Sequence, residues 1–153
     1  MRIAAIIVAS LLLLAAAGLG LARSSTNFKD AKDMAGVDKE MVSLAKSAHI
    51  AGAGALEVKP AALKRGGVGL ILTGLLSIAL LVAVFVKRGV PYIAGGLLFA
   101  AVVTIVLNPQ YDVGALQAMS ARSAAIVVGV LAGGGALFAY LADRIRVRRT
   151  ATA

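Results

Sequence analysis

Residues 66–86 read GGVGLILTGLLSIALLVAVFV, an apolar run without one charged side chain. At about 1.5 Å per residue, a helix of about 20 residues covers the roughly 30 Å of a bilayer's hydrocarbon core. The run is continuous and does not alternate apolar with polar positions, so it predicts a spanning helix and not a barrel strand. The same reading applies to residues 89–107 (GVPYIAGGLLFAAVVTIVL), 123–142 (SAAIVVGVLAGGGALFAYLA) and 3–22 (IAAIIVASLLLLAAAGLGLA). One charge at a helix centre would cost about 2.5–3.5 kcal/mol on insertion, and none of the four runs carries one. Pro91 falls in the first turn of its run, where the missing N–H is harmless. Asn108-Pro109 closes that run.

The expected fold is therefore all-α: a single polytopic helical bundle over 1–153, with four transmembrane helices at about 3–22, 66–86, 89–107 and 123–142. Composition agrees. The 153 residues are 60% hydrophobic and 15% charged, against roughly 45–50% and 25% in ordinary globular chains. Too little polar surface is present to cover so much apolar volume. The absence of cysteine removes disulfide frameworks, iron–sulfur clusters and thiolate zinc sites.

The first run reads in two ways. It is a retained transmembrane helix, or a signal peptide with Arg2 as its basic region and Gly20-Leu21-Ala22 as a cleavage site. Cleavage would leave three spanning helices.

Sixteen Lys plus Arg against seven Asp plus Glu give a net charge of +9. Arg2, Lys87, Arg88, Arg144, Arg146, Arg148 and Arg149 collect on one side of the four runs, with Asp143 as the only acid there. By the positive-inside rule that side is cytoplasmic. Both termini then lie inside and residues 23–65 outside, in a multi-pass protein of a cell membrane, read as a bacterial inner membrane.

Residues 23–65 predict one or two short amphipathic helices. Ser25, Thr26 and Asn27 offer N-caps for Phe28, Ala31 and Ala35, and Gly36 ends that piece. Asp38 caps a second, with Val37 and Val42 as a staple and Met41, Ala45 and Ala48 along one face. Gly52-Ala53-Gly54 makes a flexible break before Pro60 and the basic entry Lys64-Arg65.

Much chemistry is missing. No Asp, Glu, Lys, Arg or His lies within the four runs, so proton and sodium pathways lack their usual carriers. His49 is the only histidine and falls outside them, which leaves haem or metal ligation without a ligand set. Asp30, Asp33, Asp38 and Glu40 are interleaved with Lys29, Lys32 and Lys39, a solvated face and not a calcium loop. Gly95-Gly96 and Gly133-Gly134-Gly135 lie mid-span without the flanking residues of a phosphate loop. No enzyme activity, cofactor or nucleic-acid partner is expected.

Small residues do recur every four positions: Gly69, Thr73 and Ser77; Gly96, Ala100 and Thr104; Ala125, Gly129 and Gly133. Such ladders let helix backbones approach closely where lipid supplies no hydrophobic drive. Gly129 with Gly133 is the strongest candidate contact. Lys87, Arg88, Arg144, Arg146, Arg148 and Arg149 are placed to meet anionic headgroups. The expected partners are membrane lipids and other transmembrane subunits or copies of the chain itself. The expected function is a structural or accessory subunit of a larger membrane complex, joined through helix packing. The alternative is a self-assembling homo-oligomer, as a holin-like pore former or a filament subunit. For the latter, residues 66–107, two apolar helices joined by Lys87-Arg88-Gly89, resemble the membrane-stored hairpin of conjugative pilins. The run 123–142 stands outside that pattern.

Overall fold

The computed structural model describes residues 2–36, 39–49, 58–111 and 119–151, with the backbone alone at 39 and 148–151. Five helices follow in order: α1 Arg2–Met34, α2 Lys39–Ser47, α3 Pro60–Val86, α4 Val90–Leu107 and α5 Ala121–Ala151. No strand occurs among the described residues. The chain is all-helical, and α1, α3, α4 and α5 are each long and apolar enough to cross a membrane.

Each start and stop has a local cause. Lys59 is extended and Pro60 opens α3 with its φ already helical. Lys87, in the left-handed region at φ 61°, ends α3. Gly89 adopts φ 69° just before α4, a conformation only glycine reaches without a Cβ penalty. The two spans are thereby joined by a three-residue turn. Ser120 Oγ accepts from the Ser123 N–H at 3.2 Å, which caps the start of α5.

α1 and α4 each pack against both α3 and α5, and α3 also meets α5. The chief core is shared by all four: Ala9, Leu13 and Ala16 of α1, Leu80 of α3, Leu97 of α4, and Ala132 and Ala136 of α5. Alanine lines much of it, so the helices approach closely and dispersion between backbones replaces the hydrophobic drive that lipid does not provide.

Three boundaries differ from the sequence reading. α1 does not stop at Ala22 but continues to Met34, 33 residues in all. Its buried stripe explains why: Leu13, Ala16, Gly20, Ser24, Asn27 and Ala31 keep one helical register across the apolar-to-polar boundary. The hydroxyls of Ser25 and Thr26 turn back to the Ala22 carbonyl inside that helix, so neither is an N-cap. α3 starts six residues earlier than expected and includes Lys64 and Arg65. α5 runs past Ala142 through the Arg-rich tail.

The turn at Ala35-Gly36 does end α1. Ala45 of α2 is buried, whereas Met41 and, just past α2, Ala48 are exposed, so the described residues cover only Ala45 of the expected three-residue face. Val37, Asp38 and Gly52-Ala53-Gly54 lie outside the described residues.

Candidate functional site

The spans enclose a short ladder of uncharged polar groups. Thr104 Oγ1 of α4 donates to the Ala100 carbonyl at 2.7 Å. The Thr73 and Thr104 hydroxyls lie 2.9 Å apart across the α3–α4 seam. With Thr104 donating to Ala100, its oxygen is free to accept from Thr73. Ser77 Oγ donates to the Thr73 carbonyl at 2.9 Å. All three side chains are buried. Each hydroxyl hydrogen therefore has an acceptor, as burial in a low-dielectric interior requires.

At the end shared by α3's start and α4's finish, Asn108 closes the ladder. Its Nδ2 donates to the Thr104 carbonyl at 2.8 Å and reaches the Gly66 carbonyl at 3.4 Å. Its Oδ1 accepts from Asn27 Nδ2 of α1 at 2.9 Å. One amide thus ties three helices together. Both asparagines are at most 1% exposed. A Cβ on Gly66 would fall on the Asn108 side-chain amide, so glycine is what lets that amide sit there.

Tyr111, just past α4, is buried beside Ala31, Leu63 and Ala121. Burial pushes its phenol above the ordinary value, the Arg23 charge opposes this, and the Asp30 charge reinforces it. Arg23 itself donates to the Met119 carbonyl at 3.0 Å, joining α1 to the approach to α5.

The opposite end is basic. Arg146 pairs with Asp143 at 2.8 Å and donates to the Lys87 carbonyl at 2.9 Å. That contact pins α5 to the α3–α4 turn. Arg144 donates to Tyr140 Oη at 2.8 Å and stands over the same ring. Lys87 and Arg88 are exposed. The side chains of Arg148 and Arg149 lie outside the described residues. Of the residues expected to meet headgroups, Arg146 is thus engaged within the bundle, while Lys87, Arg88 and Arg144 face outward.

The small-residue ladders divide in the same way. A Cβ on Gly69 would lie 2.9 Å from Thr104 Oγ1, and one on Gly129 would lie 2.9 Å from Ile105 Cδ1. Ala100 and Ala125 are buried, and a Cβ on Gly133 would make only ordinary contact with Leu98, at 3.5 Å. Gly129 with Gly133 is therefore not the tightest seam. Gly135 against Leu13, at 2.7 Å, and Gly66 against Asn108 are closer. Gly96 departs from expectation altogether: nothing stands within 4 Å of its Cβ position, and it opens on the bundle's outside. The register of α4 turns Ala100 and Thr104 inward, and Gly96 lies on the rim of that face.

Sequence reasoning missed Asn27 and Asn108 as partners, because each had a local explanation as a cap or a stop. The usable signal was the stripe from Leu13 to Ala31, which carries Asn27 onto the buried face.

Among the described residues, no group of three or more His, Asp or Glu could hold a metal. No family model, no curated protein and no solved structure matches the chain.

Proposed function

We propose that this chain is a non-enzymatic structural or accessory subunit of a larger membrane protein complex, with both termini on the cytoplasmic side. One observation carries the reading. On α2, between the first two spans, Met41 and Leu44 are 61% and 66% exposed. Two large apolar side chains at helical spacing, outside the spanning segments and uncovered by the other described residues, fit a surface that a partner covers.

The interior supports the same reading over a pore. Ser10, Thr73, Ser77 and Thr104 are the hydroxyls a pore lining would use; the last three are sealed inside one chain's own bundle, and the Ser10 hydroxyl oxygen is buried as well. Between the helices the core is filled by Leu13, Leu80 and Leu97.

The test is gentle detergent extraction from the source membrane, native mass determination, and identification of every chain that comes with it. Recovery in fixed ratio with larger proteins is expected. Met41→Ser with Leu44→Ser should release them without changing the thermal unfolding of the four-helix body. Recovery as copies of this chain alone would overturn the proposal. The same spectrum gives the mature mass, which is expected to include residues 1–22.

A further inference from the structure

An open groove runs down the outside of the α3–α4 pair, with a volume of about 560 Å³. Val68, Leu72 and Leu76 form one wall, and Phe99, Val103 and Leu107 the other. Gly69 and Gly96 line its floor, and the Cβ position of Gly96 faces open room. At one end stand Lys64 and Arg65, both exposed. Among the described residues, no acidic side chain lines the groove.

Its length identifies the occupant. From Lys64 to Leu76 along α3 is about 18 Å, and from Leu107 to Gly96 along α4 about 17 Å, at 1.5 Å per residue. Half of a hydrocarbon core about 30 Å thick is about 15 Å. The groove therefore begins at the headgroup level and stops near the bilayer midplane, a depth of one leaflet. One acyl chain of a phospholipid reaches the same depth. The two cations at the mouth complement a phosphate.

We propose that the α3–α4 groove is a binding site for an anionic phospholipid. The lipid comes from the leaflet at the Lys64–Arg65 end, one acyl chain lies between Leu72 and Val103, and its phosphate is held by Lys64 and Arg65. This site lies at the opposite end of the bundle from the Arg-rich tail.

The chain has no tryptophan, so Phe99→Trp places a single fluorophore on the groove wall. The full chain is reconstituted in phosphatidylcholine vesicles, and the quencher is a phospholipid brominated on its acyl chains, either phosphatidylglycerol or phosphatidylcholine. The glycerol lipid should quench preferentially, by about fivefold for each cation near the surface. Lys64→Gln with Arg65→Gln should abolish the preference. Gly96→Leu should abolish the close quenching by filling the groove, and its Cβ meets nothing within 4 Å. Gly95→Leu, equally unobstructed but outside the groove, should leave both unchanged. Equal quenching by the two lipids would overturn the proposal. So would a preference that survives the double glutamine variant, or quenching unaltered by Gly96→Leu. Loss of a co-purifying protein on Gly96→Leu, with bound lipid unaltered, would overturn it in favour of a helix in the groove.

Discussion

Asn27 Nδ2 donates to Asn108 Oδ1 at 2.9 Å, linking α1 to the end of α4 across 81 positions of sequence. Because Asn108 also donates to the Thr104 and Gly66 carbonyls, its truncation strands more groups than truncation of Asn27. Asn108→Ala should cost about 1–3 kcal/mol, the usual penalty for unpaired buried polar groups, and Asn27→Ala less. A double-mutant cycle by unfolding in detergent should give a coupling near 0.6 kcal/mol and not above about 1.7 kcal/mol. Zero coupling would mean that the pair is not formed.

Glycines on and off the seams should respond with opposite sign. Gly135→Ala drives a Cβ to 2.7 Å from Leu13 Cγ and 3.3 Å from its backbone nitrogen, and should destabilise by about 1–3 kcal/mol through overpacking. Gly18→Ala meets nothing within 4 Å and should be neutral or stabilising by up to about 1 kcal/mol, the helix preference of alanine over glycine. Thermal unfolding of the two variants in one detergent decides; equal responses would remove the packing argument.

The Tyr111 phenol is held above its ordinary value of 10.0, chiefly by burial. The folded state therefore binds this proton more tightly than the unfolded chain does. The stability it contributes is present below pH 10 and is lost as pH rises through the raised value. Tyr111→Phe cannot ionise, so its unfolding temperature should fall less than that of the parent between pH 9 and about 11. Parallel decline of the two proteins would show that ionisation of Tyr111 is not coupled to folding.

Orientation has its own check. A cysteine at Ala48 should react with an impermeant reagent in intact cells, and one at Thr150 should not, if the proposed orientation, with the Arg-rich end inside by the positive-inside rule, holds. The reverse pattern would invert the topology.

The spans were legible because a bilayer demands long uncharged runs, a demand that every residue from Gly66 to Val86 obeys. Which face of each span turns inward was much less legible. In lipid both faces are apolar, so hydrophobic periodicity carries no direction, and Gly96 reads like Gly69 until the helices are packed. The polar half of α1 was hidden for a different reason. Ser25, Thr26 and Asn27 favour caps locally, and only the packing of Ser24, Asn27 and Ala31 overrides that preference. Asn108 beside Pro109 reads as a stop, which it is, and the amide's second use lies in contacts far apart in sequence.

The continuity of α1 past Ala22 also has a mechanical consequence. Asn27 lies level with Gly66 and Asn108 at the end of the spans, and the seven further residues to Met34 form a rigid post about 10 Å tall, against a headgroup layer about 5–8 Å deep. The turn at Ala35-Gly36 is thus held at a fixed height and azimuth on the bundle. Inserting a single residue into the post would raise its tip by about 1.5 Å and swing it through about 100°. A flexible tether of the same length would absorb that insertion unnoticed.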